Sequence, residues 1–153
     1  KLAHYDTVDS GYMKQQITKP QTIGYGLVDS PLLQAAWIFE KMWAWTDNKG
    51  SPFDALSIDQ ILDNITLYWL TGTGGSSGRL YWQSADAMNT DPVTMPAALT
   101  SFPKEILWAS RNWLGHMSNI LYWNEVEAGG HFAAWEQPEI FTGELRKAFA
   151  LMR

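Results

Sequence analysis

Apolar residues recur at helical spacing through most of the first 88 residues, and the pattern changes after about Asn89. Leu2 to about Asp9 reads as a short helix, followed by Ser10-Gly11-Tyr12-Met13. Pro20 ends any helix at Thr18-Lys19, because proline biases the residue before it away from helical geometry. Asp29-Ser30-Pro31 is a helix start, a capping side chain followed by proline at the first helical position. The helix that follows, Pro31 to about Thr46, is apolar nearly all round, which predicts deep burial. Residues 47–52 read as a loop. Ser57-Ile58-Asp59-Gln60 is a capping box, and behind it Ile58, Ile61, Leu62, Ile65, Tyr68 and Trp69 keep helical spacing. The Gly- and Ser-rich run from Thr71 to Gly78 predicts a bend before one or two more helical turns ending near Asp86. Residues 1–88 are therefore expected to be all-helical.

Beyond that point Val93 to Phe102 reads as a strand stopped by Pro103. A short helix near Ser110–Met117, a second strand from Asn119 to Val126 and a tight loop at Ala128-Gly129-Gly130-His131 follow. A last helix starts at Gln137-Pro138, with Phe141, Leu145, Ala148, Phe149 and Met152 expected on its buried face. Strand, helix, strand, helix implies a right-handed crossover and a parallel pair. Two parallel strands cannot cover both faces of a sheet. Residues 89–153 are thus expected to be the last part of an α/β core whose other strands lie elsewhere. With a first residue Lys1 and no initiator Met, the chain is expected to be a fragment.

Charge and composition narrow the function classes. The net charge is −5 and the eleven Lys and Arg are scattered, which argues against nucleic acid as a partner. No apolar run is long enough to span a bilayer; Pro31 to Trp45 is broken by Gln34 and by Glu40-Lys41. Without cysteine there are neither disulfides nor thiolate metal sites, and the compartment stays open. Nine Trp, six Tyr and six Phe imply a large aromatic core or an aromatic-lined pocket. Helical spacing places Trp37, Trp43, Trp45, Trp69, Trp82 and Trp108 mostly in the core. Tyr5, Tyr25, Tyr68 and Tyr122 read as packing residues, and His4 and His116 as surface residues.

The chemistry gathers at the sheet edge. Glu105 follows the first strand and His131 the second. In a parallel pair both loops leave the carboxyl edge, where open α/β sheets bind ligands. A carboxylate bonded to one imidazole nitrogen fixes the tautomer and leaves the other nitrogen as a base. The glycine pair before His131 allows the sharp turn that exposes its ring.

The segment Gly129-Gly130-His131-Phe132-Ala133-Ala134, with Glu136-Gln137-Pro138-Glu139, resembles the catalytic-histidine segment of microsomal-type epoxide hydrolases of the α/β-hydrolase superfamily. Phe102-Pro103-Lys104-Glu105 is similar to the segment of their orienting acid. Ser10-Gly11-Tyr12-Met13 with Thr18-Lys19-Pro20-Gln21-Thr22-Ile23-Gly24 resembles the block of the first lid tyrosine, and Arg79-Leu80-Tyr81 that of the second. Two further blocks, Asp29-Ser30-Pro31 into Ala35-Ala36-Trp37-Ile38 and Leu67-Tyr68-Trp69-Leu70-Thr71-Gly72-Thr73, lie between them in family order. Two features depart from the family pattern. Gly74, Gly75 and Gly78 loosen the approach to Tyr81, and Pro96-Ala97-Ala98 stands in place of Pro-x-Gly.

The resemblance implies a C-terminal half of such an enzyme, with residues 1–88 as its helical lid and 89–153 as the last part of its α/β-hydrolase core. In its mechanism an Asp attacks an epoxide carbon while Tyr12 and Tyr81 bond the ring oxygen. His131 then activates water to hydrolyse the ester to a vicinal diol, with Glu105 as the orienting acid. It implies no metal and no organic cofactor, a small apolar epoxide as substrate, and a complementary N-terminal half as partner. The nucleophile has no counterpart here, since no Asp sits on a strand–turn–helix, so the chain is expected to be inert alone. The alternatives are another α/β-hydrolase such as a haloalkane dehalogenase, or a non-catalytic module binding apolar ligands or a partner.

Overall fold

The computed structural model describes residues 1–85, 93–108, 110–115 and 118–151. The expected boundary at 88/89, together with His116, Met117 and Met152, lies outside the described residues. Helix α1 (Leu2–His4) opens into one π turn, Tyr5–Asp9, closed by the Ser10 N–H on the Tyr5 carbonyl at 2.8 Å. Helix α2 (Gly11–Thr18) stops at Lys19, and Pro20 starts α3 (Pro20–Asp29) at its first position. The same proline thus ends one helix and begins another, since its missing N–H costs nothing in a first turn. Ser30 then accepts from the Leu33 N–H at 3.2 Å and caps α4 (Pro31–Trp45).

Deep burial of α4 is not what the structure shows. Only Gln34, Met42 and Trp45 are buried, while Leu32 and Trp43 face outward. The elements of this chain cover one stripe of the helix, and its other apolar flank stays open. A 3-10 turn (Pro52–Asp54) precedes α5 (Ile58–Thr71). The Ser57 hydroxyl accepts from the Gln60 N–H at 3.2 Å and the Gln60 carbonyl oxygen from the Ser57 N–H at 2.9 Å, as the capping box predicts. Ile61 and Ile65 of α5 pack with Met42 and Leu56 into the core cluster.

The Gly-Ser run turns only at Gly72, whose φ of 64° ends α5, and at Thr73; from Gly74 on it is helical. Helix α6 (Gly74–Gln83) starts inside it. A Cβ on Gly24 would lie 3.2 Å from the Gly75 Cα, and one on Gly74 would strike the Gln34 side chain and come within 3.0 Å of the Leu27 Cβ. Close backbone approach between α3 and α6 therefore requires glycine there and overrides its poor helix propensity.

Strands β1 (Val93–Ser101) and β2 (Ser118–Glu125) pair in parallel, with α7 (Arg111–Gly115) between them in the chain. The ladder slips between Val93 and Pro96 and again between Ala97 and Ala98, then runs in register to Ser101 opposite Glu125. A short helix, α8 (Ala133–Glu136), precedes α9 (Pro138–Ala150).

The buried residues of α9 are Glu144 and Ala148, whereas Leu145 and Phe149 are exposed, contrary to the expected apolar face. Polar chemistry turns the helix. Glu144 Oε2 accepts from Tyr122 Oη at 2.8 Å, Asn124 Nδ2 at 3.0 Å and Thr100 Oγ1 at 3.2 Å, and Oε1 takes Lys147 Nζ at 2.8 Å. A carboxylate with four donors is well compensated for its burial. Burial pushes its pKa up, but these donors outweigh burial and bring it down to about 2. Tyr122, expected to pack only, is one of those donors.

Of the six tryptophans assigned mostly to the core, only Trp45 is buried; Trp43, Trp82 and Trp108 are exposed. Leu32, Leu70 and Met95 also remain open, at 78%, 77% and 68% exposure. Among the described residues no helix is long and apolar enough to cross a membrane.

Candidate active site

Both loops at the carboxyl edge of the sheet are pinned by hydrogen bonds to their backbone. After β1, the Glu105 N–H bonds the Phe102 carbonyl at 3.2 Å, and Lys1 Nζ bonds the carbonyls of Pro103 and Glu105 at 2.9 and 3.0 Å. After β2, Gly129 takes a positive φ of 112°. Its N–H donates to Asp47 Oδ2 at 2.9 Å, and its carbonyl accepts from the Lys104 N–H at 3.1 Å, which ties the two loops together. Gly130 has a different reason to be glycine. A Cβ there would sit 2.5 Å from the Trp45 carbonyl oxygen and 2.9 Å from the Asp47 nitrogen.

Glu136 clamps the turn. Its Oε2 accepts from the Asp47 N–H at 2.6 Å and the Gly130 N–H at 3.1 Å, while Oε1 accepts from the Phe132 N–H at 3.0 Å. The His131 N–H donates to the Trp45 carbonyl at 2.9 Å. So the C-terminal end of α4 and the histidine loop are bonded reciprocally. Trp45 satisfies its carbonyl through His131, and Asp47 both gives and receives.

Those constraints deliver His131 Nδ1 to Glu105 Oε1 at 2.8 Å. The same oxygen accepts the Ile106 N–H at 2.7 Å. Burial pushes the Glu105 carboxyl up, but the bonds from His131 and Ile106 outweigh burial and hold it below the ordinary range. It is ionised at neutral pH and acts only as an acceptor, so Nδ1 carries the proton and Nε2 of the neutral ring keeps its lone pair. The side chains stay 37% and 35% exposed, leaving the ring open to the edge.

Tyr12 at the start of α2 and Tyr81 on α6 meet edge to face, with ring centroids 5.8 Å apart. Burial, the bond to Tyr5 and the neighbouring Tyr81 push the Tyr12 phenol well above its ordinary pKa, so its proton stays in place. Among the described residues no hydrogen bond joins either phenol to the imidazole. The two pairs meet through Trp45, whose ring lies 5.2 Å from Tyr12 and 5.1 Å from His131, edge-on to both. Lys41 lies over this assembly, with Nζ 4.8 Å from the Tyr12 ring and 5.2 Å from that of Trp45. Only 12% of its side chain is exposed, and its head is bonded to Glu40. A cleft of about 160 Å³ reaches Glu105 and is lined also by Tyr5, Asp9, Ala44, Lys104 and Ile106.

All four residues singled out from the sequence are therefore linked, as two pairs, through the Trp45 ring. Sequence reasoning missed the connecting residues. Trp45 was one of six tryptophans at helical spacing, and Asp47 sat in a loop without a motif. Glu136 lay inside the histidine block, and Lys41 was visible as a charge within an apolar helix.

No family model matches the chain. It is 50% identical over 151 residues to a putative epoxide hydrolase of Stigmatella aurantiaca, an alignment covering 97% of this chain and 34% of that protein. It is 36% identical to epoxide hydrolase 1 of Sus scrofa, over 94% of this chain and 35% of the relative. Among solved structures, the juvenile hormone epoxide hydrolase of the silkworm Bombyx mori superposes with a TM-score of 0.86 at 34% identity, over 93% of this chain and 39% of that one. The Aspergillus niger epoxide hydrolase superposes at 0.85 with 27% identity, over 97% and 37%. The chain thus spans about a third of the length of the curated relatives it matches. The matches extend over nearly the whole of this chain, so it has the sequence and fold of the C-terminal part of epoxide hydrolases of the α/β-hydrolase superfamily.

Proposed function

We propose that this chain supplies the base, the orienting acid and the oxygen-polarising lid of an epoxide-opening site, whose nucleophile comes from a complementary N-terminal region. The observation that carries the reading is the 2.8 Å bond between His131 Nδ1 and Glu105 Oε1, set one indole away from the Tyr12–Tyr81 pair. Residues 1–88 act as the lid and 89–153 as the end of the hydrolase core.

In the first step a carboxylate of the complement attacks an epoxide carbon. The C–O bond breaks, and its electron pair goes to the oxygen held by the Tyr12 and Tyr81 hydroxyls. Preorganised donors aimed at developing charge are the strongest electrostatic device available to such a site. In the second step His131 Nε2 takes a proton from water as the water oxygen attacks the ester carbonyl; the ester C–O bond breaks, the carboxylate of the complement is regenerated, and the two protons of that water end on the two alkoxide oxygens, which leave as the diol. Glu105 keeps the imidazole in the tautomer with Nε2 unprotonated and then stabilises the imidazolium. The substrate class is a small apolar epoxide, in keeping with the aromatic surroundings of the phenols.

The test is recombination. This chain is combined with the N-terminal two thirds of the Stigmatella aurantiaca relative, either fused or co-expressed, and assayed with an aryl epoxide for diol. The recombined enzyme should turn over while each part alone does not. Robust diol formation by the isolated chain, or none by a folded recombinant, would overturn the assignment.

A further inference from the structure

Tyr12 has a neighbour that the two-phenol scheme leaves unused. Tyr5 Oη lies 3.1 Å from Tyr12 Oη, and 3.5 Å from Met13 Sδ. Each phenol has one proton to give and lone pairs to receive. When Tyr5 donates to the Met13 sulfur, the Tyr12 proton points at the Tyr5 oxygen. The chain of donors then runs Tyr12 to Tyr5 to Met13 and ends on a thioether, a weak acceptor. In that arrangement Tyr12 has no second proton for a ligand.

We propose that Tyr5 is a positioning residue whose bond with Tyr12 reverses when an epoxide oxygen enters; this rests on the function proposed above. The incoming oxygen takes the Tyr12 proton as its hydrogen bond. Tyr5 then gives up the sulfur and donates to the Tyr12 oxygen. The exchange trades a weak O–H···S contact for an O–H···O bond, so little opposes it. A donor that itself accepts a hydrogen bond is polarised and donates more strongly, by about 10–30% per bond. Tyr5 thereby strengthens Tyr12 at the moment negative charge builds on the ring oxygen.

The surroundings support this assignment. The groups facing Tyr12 among the described residues are Tyr81 from α6, Trp45 and Lys41 from α4, and Tyr5. None of them is a carboxylate, and among the described hydrogen bonds only Tyr5 lies at an ordinary bond length from the Tyr12 oxygen. Tyr5 also opens the π turn that interrupts the first helix, with its carbonyl held by the Ser10 N–H at 2.8 Å. Single π turns inside helices recur at functional sites. Tyr5 further lines the cleft that reaches Glu105.

The experiment uses Tyr5→Phe, which keeps the ring and removes only the hydroxyl. Two readouts are taken. The first is the 13Cζ resonance of Tyr12 in this chain labelled on tyrosine, assigned with Tyr12→Phe. The second is pre-steady-state turnover of an aryl epoxide by the enzyme recombined with the Stigmatella aurantiaca N-terminal region. The expected result is a displaced Tyr12 resonance, a roughly tenfold slower ring-opening phase and a KM within about twofold of wild type, because the bond strengthens only as charge develops. Ester hydrolysis, which uses His131, should keep its rate. An unmoved Tyr12 resonance overturns the pairing, and a displaced resonance with an unchanged ring-opening rate overturns the role. If the wild-type recombinant itself makes no diol, the parent reading fails and takes this one with it. Normal wild-type turnover with unaffected Tyr5→Phe sinks this one alone.

Discussion

Replacing Gly130 with alanine tests whether the histidine loop is positioned by close backbone contact with the end of α4. The added Cβ would lie 2.5 Å from the Trp45 carbonyl oxygen, 2.9 Å from the Asp47 nitrogen and 3.0 Å from Glu136 Oε1. An ordinary carbon–oxygen contact is about 3.3 Å, so the loop must retreat by about 0.8 Å. Two of the three obstructing atoms are backbone and cannot swing aside. The retreat lengthens the His131 N–H bond to the same carbonyl, now 2.9 Å, beyond bonding range, and strains the Gly130 bond to Glu136, now 3.1 Å. Two weakened bonds at about 1 kcal/mol each, plus overpacking of about 1 kcal/mol, give a loss of about 2–4 kcal/mol.

The assay is urea unfolding of this chain followed by circular dichroism, paired with NMR of the His131 ring nitrogens. Gly130→Ala should lose the stated stability and weaken the Nδ1–H signature of the bond to Glu105. In the recombined enzyme a base displaced by nearly 1 Å should lower kcat by about a hundredfold. Gly143→Ala is the matched control. Its Cβ would meet nothing within 4 Å in the middle of α9, so it should be neutral or stabilising by up to about 1 kcal/mol. If Gly130→Ala instead unfolds like the control, with an unshifted imidazole, the argument that α4 places the histidine is wrong.

In the recombined enzyme His131→Gln should give a burst of one equivalent of covalent ester and then stall, with turnover down by at least about 10²-fold; a proportional loss of the burst would show that His131 serves ring opening instead. Glu144 holds its carboxyl at about 2 against roughly 4.3 in an unfolded chain, so the unfolded state binds the proton more tightly. Its contribution is therefore complete above about pH 4.3 and disappears as pH falls toward about 2; Glu144→Gln should flatten unfolding free energy measured across that window, and an unchanged slope would contradict the network. Lys41→Met should cost about 0.5–2 kcal/mol by urea unfolding and change the Tyr12 ring shifts, because it removes a mostly buried cation from over two aromatic faces. Equal stability with unaltered shifts would reduce Lys41 to a surface lysine.

Local signals were the readable ones. Ser30-Pro31 and Ser57–Gln60 carry their helix starts in side-chain chemistry, and both caps form as the residues dictate. The His131–Glu105 couple was also legible, since a parallel crossover delivers both loops to one edge whatever the loop details. What failed depended on tertiary contact. Gly74 to Gly78 look like a bend in isolation, and only the approach of α3 makes glycine the residue that lets a helix fit there. The outward Leu145 and Phe149 of α9 follow from Glu144, which reads as a solvated charge until Tyr122, Asn124 and Thr100 converge on it from two strands. Nor does spacing separate Trp45 from Trp43, although one is 6% and the other 49% exposed.

That last distinction matters for how the site works. The phenols belong to the helical region and the imidazole to the sheet edge, so their relative placement depends on what joins the two. The joint is the C-terminal end of α4, where one residue contacts both sides. Trp45 touches Tyr12 and His131 with its ring and holds the His131 backbone with its carbonyl. Asp47 and Glu136 repeat the link with three more bonds across the same junction or within its turn. Among the described residues the buried Trp45 indole N–H has no hydrogen-bond partner, a cost set against the contacts its ring makes on both sides. A lid that moved independently of the core would not need such a tie. On the proposed function, the bonding pattern ties the two phenols to the imidazole across the α4 junction, so an opening that admits substrate is expected from elements other than the end of α4.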